Sequence, residues 1–235
     1  MPRTGRVSAG SVCYHVLNRG NDRNRVFHEN RDYDGFVELL TRAARRLPMR
    51  TLAYCLMPNH FHLVVWPHAE GDLGRWMHWL LTCHVVRHRR VYGGCGHVWQ
   101  GRFKAFPVQQ DHHLLTVIRY VERNPLRAGI VRRAEDWPWS SLGARLGGWL
   151  PSFLEHPPIE LPPDWREWVN EPQTQTELLG LRERICRGGP YGDRTWTRTT
   201  AARLHLESSL RPVGRPRKRC LEAERTRPQN RVEEN

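Results

Sequence analysis

Two histidines in a strongly apolar stretch are the first residues that could do chemistry. The stretch is CLMPNHFHLVVWP, residues 55–67, and it holds His60 and His62 two positions apart. On a strand such a pair points to one face, where buried imidazoles are costly unless something satisfies them, as a bound cation would. A chain with 13 histidines also forms such a pair by chance. The pair therefore indicates a metal site only in a suitable context.

A tyrosine and an asparagine form the second candidate pair. In IRYVERNPLRAG, residues 118–129, Tyr120 and Asn124 are four positions apart and share one face of a predicted helix. If the helix packs its apolar side on the sheet, a phenol and an amide oxygen could face the strand that carries the histidines. Alternatively, Tyr120 is an ordinary core residue and Asn124 a helix-terminal residue before Pro125.

Two further histidine pairs have spacings that metal sites use. His84 and His88 are one helical turn apart, although HVVRHRR also fits a solvated basic helix face. His112 and His113 follow Asp111 and are expected in the first turn of a helix, close to the proposed site.

The pattern of polar and apolar residues predicts an α+β fold. The predicted strands cover residues 11–18, 50–57, 60–66 and 101–109, and the predicted helices cover 31–46, 72–92 and 111–124. Asn30 is the predicted N-cap of the first helix and Asp111 that of the third. This order is typical of the ferredoxin-like split βαβ arrangement, an antiparallel sheet with its first and third strands central. We expect the helices on one face of that sheet.

The composition changes after the predicted core. We expect a compact domain over residues 8–145, a Pro-rich linker over 146–163, a small helical extension over 164–220 and a disordered charged tail over 221–235. Within the extension, short helices are predicted in 164–185 and another over 199–210. The basic extension is expected to be helical or irregular and to bind DNA.

The charge balance indicates a polyanionic partner. Lys and Arg number 37 against 24 Asp and Glu, which gives a formal net charge of +13. A solubility or genome-composition effect is the alternative. The sequence shows no signal-peptide pattern, no apolar run of membrane-spanning length and no CxxC motif, so we expect a cytoplasmic protein with reduced cysteines.

Four motifs carry a family resemblance. They are YHVLNRGNDRNRVF, MPNHFHLVV, HVWQGRFKAFPVQ and YVERNPLRAGIV, and they span about residues 8–145. In this order they resemble the REP-associated tyrosine transposases, which belong to the HUH single-tyrosine transposases of insertion sequences. The segments GGPYGD and LRPVGRPRKR resemble the family more weakly.

The resemblance implies a metal-dependent DNA transposase. His60 and His62 match the metal-binding pair, Tyr120 the nucleophile and Asn124 the third metal ligand. Single-stranded DNA beside a hairpin would be cleaved to a 5′-phosphotyrosine and a free 3′-OH, and then rejoined, with Mg²⁺ or Mn²⁺ as cofactor. Two imidazoles and an amide suit Mn²⁺ or Zn²⁺ better than Mg²⁺, so the identity of the metal rests on the resemblance.

Three basic segments are predicted to contact DNA. The loop NRGNDRNR offers Arg19, Asn21, Arg23 and Arg25 to backbone or unpaired bases. WQGRFKAF interleaves Arg102 and Lys104 with Trp99 and Phe103, which are either stacking platforms or core residues. RPVGRPRKR, residues 211–219, contains Arg215, Arg217 and Lys218 and resembles the core of an AT-hook, although nonspecific DNA affinity explains it equally.

Three functional classes follow from these observations. The first is the transposase that acts through Tyr120 in DNA transposition and recombination, associated with the nucleoid and working as a monomer or homodimer. The second is a domesticated protein of the same fold that binds hairpin DNA or RNA without cleaving it. A replication or conjugation relaxase is the third, and the small size and the NP context disfavour it. The presence of His60, His62, Tyr120 and Asn124 together favours the enzyme.

Overall fold

A four-stranded antiparallel sheet forms the centre of the computed structural model, which describes residues 8–211. Its strands are β1 (Cys13–Arg19), β2 (Met49–Met57), β3 (His60–Pro67) and β4 (Lys104–Val108). They are ordered β2-β3-β1-β4, and each neighbouring pair is antiparallel. Strands β1 and β3 are therefore central, and the predicted α+β ferredoxin-like class is confirmed.

Helices pack on both faces of this sheet. They are α1 (Asn30–Arg46), α2 (Asp72–Tyr92), α3 (His112–Glu122), α4 (Asn124–Arg127), α5 (Ser141–Leu146), α6 (Trp165–Asn170), α7 (Gln175–Arg187) and α8 (Arg194–Arg203). Helix α1 lies on one face, where the ring centres of Phe36 and Phe61 are 5.3 Å apart, and α2 packs against it. Helix α3 lies on the other, where the ring centres of Tyr120 and His62 are 5.7 Å apart.

The prediction that the helices share one face was wrong. Neighbouring residues of a strand point to opposite faces, so Phe61 and His62 contact different helix layers. Residues 61–65 of β3 are all buried. The strand therefore lacks the alternation of polarity that would identify a solvent face, and both faces need a cover.

Side-chain caps determine where two of the helices begin. The Asp32 carboxylate accepts the N–H of Glu29 at 3.1 Å, which makes Glu29 the N-cap of α1 and corrects the prediction of Asn30. The predicted cap of α3 is confirmed, because the Asp111 carboxylate accepts the N–H of His113 at 2.8 Å. Helix α2 covers the predicted residues 72–92.

The C-terminal segment packs against the sheet and against α3. Phe153 and Leu154 are buried, and Leu154 bridges to Thr51 of β2. Further on, Tyr191 bridges to Val108 and so extends the β4 edge of the sheet.

The helix predicted over 199–210 was wrong in its bounds. Helix α8 begins at Arg194, because the Asp193 carboxylate accepts the N–H groups of Thr195 and Trp196 at 2.8 and 2.9 Å. It ends at Arg203, and a short 3₁₀ turn follows at Glu207–Leu210. The predicted tail over 221–235 lies outside the described residues.

Two further features concern membranes and cysteines. Over residues 8–211 no helix has both the length and the apolar character needed to span a membrane. The five cysteines in that range are all free, without a disulfide among them.

Candidate nucleic-acid and metal site

The register of the sheet places the two histidines of the HFH motif beside the end of β1. In the antiparallel pair β1–β3, His60 lies opposite Arg19 and His62 opposite Leu17. Residues directly opposite one another share a face of the sheet, and this face carries α3. Tyr120 of α3 approaches His62 edge-on. The face of β3 that carries the histidines and the face of α3 that carries Tyr120 therefore meet, as the sequence predicted.

A cleft of about 390 Å³ opens at this point. His60 and His62 line it from the sheet, while Tyr120 and Asn124 line it from α3 and α4. Tyr120 is 4 % exposed and Asn124 is 1 % exposed, so both reach the cleft from within the fold. All four residues predicted to carry the chemistry thus border one cavity.

Hydrogen bonds orient both imidazoles in the same way. His60 Nδ1 lies 2.7 Å from Asn59 Oδ1, and His62 Nδ1 lies 2.9 Å from His15 Nε2. If each Nδ1 carries the proton and donates it to its neighbour, each Nε2 keeps a free lone pair. This tautomer is the one that a metal-ligating histidine needs.

Burial keeps both imidazoles neutral. It lowers the pKa of His60 to about 4, and the Arg19 and Arg127 guanidinium groups add to the effect. Burial also holds the pKa of His62 well below its usual range, with His60 and His15 contributing. A neutral imidazole can donate its lone pair to a cation, whereas an imidazolium cannot.

Asn124 lies at the junction between α3 and α4, where Pro125 interrupts the hydrogen bonding of a continuous helix. Its Oδ1 accepts a hydrogen bond from Arg127 Nη2 at 2.9 Å, and its buried Nδ2 has no hydrogen-bond partner. The same Nη2 lies 3.3 Å from Tyr120 Oη, and the guanidinium carbon lies 4.8 Å from the centre of the Tyr120 ring. Arg127 therefore contacts both helix residues of the site.

Arg127 and His15 are site residues that the sequence analysis missed. Arg127 lies three residues after Asn124 and seven after Tyr120, which is helical spacing and could have indicated a shared face. His15 lies on a predicted strand next to apolar residues. Its contact with His62 depends on strand order and register, which the local sequence does not contain.

The loop with the predicted DNA-binding residues adjoins the cleft. Arg19 lines the cleft itself. Asn21 and Arg23 form a 3₁₀ turn after Gly20, and Arg23 and Arg25 are exposed. Asn59, which precedes His60, donates its side-chain N–H to the Arg23 carbonyl at 3.0 Å. The loop is thus fixed to the turn that leads into the HFH motif.

The second basic segment divides between surface and core. Arg102 and Lys104 are exposed, and Lys104 lies opposite Leu17, on the same face of the sheet as the cleft. Trp99 and Phe103 are buried, and Trp99 packs on Phe61 on the opposite face. Of the two alternatives for these aromatic residues, the core role is the one observed. The third segment, with Arg215, Arg217 and Lys218, lies outside the described residues.

The other histidine pairs lie away from the cleft. His84 is buried among the rings of Phe27, Phe36 and Trp99 on the opposite face of the sheet, so the solvated-face alternative was wrong for it. Asp111, His112 and His113 form the one described group of three ligand-type side chains whose ligand atoms lie within 4.8 Å of one another. They stand at the N-terminus of α3, about two helical turns before Tyr120.

Two helices of the C-terminal extension lie next to the site, α7 at the cleft and α6 against α3. Arg182, Ile185 and Cys186 of α7 line the cleft. Helix α6 is fixed to α3 by Arg119, whose Nε donates to the Trp168 carbonyl at 2.7 Å, and by Arg123, which donates to the Val169 carbonyl at 3.0 Å. The extension therefore contributes one wall of the cavity.

Comparison with known proteins agrees with this geometry. Residues 8–124 match the family described as "Transposase IS200 like". A Haemophilus influenzae protein described as a REP-associated tyrosine transposase is 30 % identical over 105 residues, which are 40 % of this chain and 59 % of that protein. The chain thus spans less than two thirds of this relative. The REP-associated tyrosine transposase of Escherichia coli K12 is 24 % identical over 134 residues, 56 % of this chain and 76 % of that protein.

A solved structure shares the fold. It shows a REP-associated tyrosine transposase bound to a REP hairpin, with a TM-score of 0.52 and 20 % sequence identity. The alignment covers 64 % of this chain and 89 % of that chain. At this identity the likeness establishes a common fold.

Proposed function

The chain belongs to the IS200-like transposase family, and from this premise we propose that it binds single-stranded hairpin DNA and cleaves and rejoins it through Tyr120. The observation that carries the proposal is the convergence of His60, His62, Tyr120 and Asn124 on one cleft. A hairpin is proposed as the substrate because the solved protein of the same fold holds a REP hairpin.

The donor set fits a divalent cation. With Nδ1 protonated, each of the two neutral imidazoles would offer Nε2 to the cation. Asn124 Oδ1 is the third candidate ligand, since its partner Arg127 is exposed and can move away. Nitrogen ligands favour Mn²⁺ over Mg²⁺. A cation held there would polarise the scissile phosphate and stabilise the charge that develops on it.

Tyr120 supplies the nucleophile. Its phenolic oxygen forms a bond to the phosphorus, the bond from phosphorus to the 3′-oxygen breaks, and the phenolic proton is lost while the 3′-oxygen gains one. The products are a 5′-phosphotyrosine and a 3′-OH, and the attack of a 3′-OH on the phosphotyrosine rejoins the strand. Arg127 Nη2, 3.3 Å from Tyr120 Oη, can stabilise the phenolate by a charge-assisted hydrogen bond.

Basic residues around the cleft would position the DNA. Arg19, Arg127 and Arg182 line the cavity, and the loop with Asn21, Arg23 and Arg25 lies next to it. Arginine binds phosphate through two parallel hydrogen bonds, which gives geometric control over the backbone. Arg102 and Lys104 are proposed to extend this surface towards the β4 edge.

Covalent capture of DNA tests the proposal. Tyr120→Phe should abolish the covalent adduct with a labelled single-stranded hairpin from the DNA that flanks the gene, and it should leave hairpin binding in a mobility-shift assay largely intact. Tyr191→Phe is the matched control, because that tyrosine does not line the cleft, and its adduct yield should equal that of the wild type. EDTA should stop cleavage and added Mn²⁺ should restore it.

The outcomes separate the two functional classes. An adduct that survives Tyr120→Phe contradicts the nucleophile assignment, and cleavage that EDTA does not affect contradicts the metal role of His60 and His62. Hairpin binding without any adduct in the wild type, at any metal concentration, would show the non-cleaving binding protein instead.

A further inference from the structure

The cleft is strongly cationic even though it is proposed to hold a cation. Three arginines line it, Arg19, Arg127 and Arg182, and no Asp or Glu is among its lining residues within the described chain. Divalent cations in proteins are usually held with carboxylates that compensate their charge. A cation that enters this cleft alone therefore meets repulsion and finds no anionic ligand.

Arg127 also forms a hydrogen bond to Asn124 Oδ1, the oxygen proposed as the third ligand of the cation. Its Nη2 donates to Asn124 Oδ1 at 2.9 Å and approaches Tyr120 Oη at 3.3 Å. Asn124 is 1 % exposed and its Nδ2 has no partner, so Arg127 provides the hydrogen bond found for this buried amide. This hydrogen bond uses one of the two lone pairs of Asn124 Oδ1. It also places a guanidinium charge beside that oxygen, which opposes the approach of a metal ion to it.

We propose that Arg127 couples metal binding to DNA binding. The inference rests on the proposed function, because it takes His60, His62 and Asn124 as ligands and a DNA phosphate as the occupant of the cleft. In the absence of DNA, the Arg127 guanidinium is hydrogen-bonded to Asn124 Oδ1 and its charge opposes the binding of a cation. A DNA phosphate pairs with the guanidinium, releases the amide oxygen and brings the negative charge that the cleft lacks.

Linkage then determines the behaviour of both ligands. If the hairpin strengthens Mn²⁺ binding by some factor, Mn²⁺ must strengthen hairpin binding by the same factor. Arg127 acts here as a positioning residue, which limits tight metal binding to the DNA complex. A merely structural role would predict the opposite response to its removal, since loss of structure weakens metal binding.

The experiment measures Mn²⁺ binding rather than turnover. Free Mn²⁺ is titrated by electron paramagnetic resonance in the full chain with Tyr120→Phe, so that no cleavage occurs, with and without a single-stranded DNA hairpin carrying unpaired flanks. In this parent the hairpin should raise the Mn²⁺ affinity by about tenfold, a typical coupling between sites. Adding Arg127→Met should raise the DNA-free Mn²⁺ affinity several-fold and largely remove the effect of the hairpin.

Controls separate the hydrogen bond from the charge. Arg182→Met also removes one positive charge from the cleft, but it leaves the hydrogen bond from Arg127 to Asn124 Oδ1 in place. The DNA-free Mn²⁺ affinity of Arg182→Met should therefore rise less than that of Arg127→Met. Arg127 is exposed, and both Arg127→Met and Arg127→Lys are expected to fold. Arg127→Lys keeps the charge and should shift the affinity in the same direction by a smaller amount.

Each remaining outcome would overturn a specific statement. The coupling is overturned if the DNA-free Mn²⁺ affinity is unchanged in both Arg127 variants. It is also overturned if the hairpin raises their Mn²⁺ affinity as much as it does in the parent. In both cases the proposed function stands. Mn²⁺ binding that persists unchanged after His60→Ala overturns the proposed metal site, and with it the coupling.

Discussion

The two histidines of the HFH motif depend on neighbours that lie outside the motif. His15 on β1 and Asn59 in the turn before β3 hold the Nδ1 atoms of His62 and His60 at 2.9 and 2.7 Å. Such partners fix the tautomer and the ring orientation of a ligating histidine. The His15 ring is fully buried and burial lowers its pKa to about 3, so the ring is neutral and its Nε2 can accept a hydrogen bond from His62 Nδ1.

The first prediction concerns this supporting histidine. His15→Leu keeps a side chain of similar size but removes the acceptor for His62 Nδ1, and Mn²⁺ affinity should fall by about 10–100-fold. The measurement is a Mn²⁺ titration of the hairpin complex in the Tyr120→Phe background. His84→Phe is the matched control, because it replaces another buried histidine on the opposite face of the sheet. An affinity equal to the parent's in His15→Leu would show that His62 needs no support from β1.

A second buried histidine makes the stability of the fold depend on pH. His84 packs among Phe27, Phe36 and Trp99, and its Nδ1 has no hydrogen-bond partner. Burial lowers the pKa of His84 from 6.5 to about 3, with His88 and Arg87 adding to the effect and Asp32 opposing it. Protonation is therefore much less favourable in the folded state than in the unfolded chain.

The stability that depends on His84 is greater at neutral pH than at acidic pH. Between pH 3 and 6.5 the unfolded state binds more protons at His84, so this contribution is fully present above pH 6.5 and is lost as the pH falls. At pH 5 the loss is about 2 kcal/mol. Urea unfolding at pH 7.5 and pH 5 should show that His84→Phe loses about 2 kcal/mol less than the wild type. His112→Phe, at an exposed position, should behave like the wild type, and equal losses in all three proteins would contradict the assignment.

At the scale of elements, α3 joins the two parts of the chain. One side of this helix presents Tyr120 to the cleft, while Arg119 and Glu122 face the extension. The fully buried Glu122 carboxylate accepts hydrogen bonds from Ser141 Oγ at 2.6 Å, Arg145 Nε at 3.0 Å and Trp165 Nε1 at 2.8 Å. A single side chain therefore connects α3 to α5 and to α6.

Removal of this carboxylate should be strongly destabilising. Glu122→Ala leaves the Arg145 guanidinium, 5 % exposed, without its counter-charge, and breaking a buried pair in this way costs about 3–5 kcal/mol. The free energy of unfolding from urea titration measures the effect. Glu38→Ala on the exposed side of α1 should change it by less than about 0.5 kcal/mol. A loss below about 1 kcal/mol for Glu122→Ala would mean that α5 and α6 are held mainly by apolar packing.

The sequence predicted the positions of the strands and helices better than it predicted which faces of the sheet are covered by helices. The strand and helix periodicities located all four strands and α1 to α3, because each element carries its own apolar pattern. They did not separate the two faces of β3, since both are buried. The role of Trp99 stayed open for the same reason: an aromatic residue beside arginines fits a core and a stacking platform equally until the register is known.

The same limit explains which parts of the candidate site could be predicted. Tyr120 and Asn124 could be paired because one helical turn relates them, and the HFH pair because one strand relates it. Their assignment to a site rests on the family resemblance. Strand order brings His15 to His62. A helix junction brings Arg127 to the cleft, and the docking of α7 brings Arg182. Such relations arise from tertiary packing, and local sequence patterns do not contain them.

At the scale of the whole molecule, part of the excess of basic residues lies where DNA is proposed to bind. Arg19, Arg127 and Arg182 border the cleft, and the segment with Arg215, Arg217 and Lys218 follows the last described residue, Arg211. Because every phosphate contact releases counterions, these groups should govern how DNA affinity depends on salt.

The last prediction separates the role of this terminal segment from that of the cleft. Replacing Arg215, Arg217 and Lys218 with Ala removes three positive charges, and the slope of log K against log salt for a single-stranded hairpin should decrease in magnitude by about 2. Adduct formation through Tyr120 should persist at saturating DNA, because the cleft is unchanged. Fluorescence anisotropy over a range of NaCl concentrations, combined with the adduct assay, measures both quantities.

A matched control removes the same charge from another surface. Arg45, Arg46 and Arg90 are exposed on α1 and α2, which cover the face of the sheet opposite the cleft. Their replacement with Ala should leave the salt slope nearly unchanged, since net charge acts on DNA mainly through groups within a Debye length of the backbone, about 10 Å at 0.1 M salt. Equal slopes for the two triple variants would mean that the basic tail acts only through net charge. A tail variant that binds DNA but forms no adduct would instead place the terminal segment within the cleavage reaction.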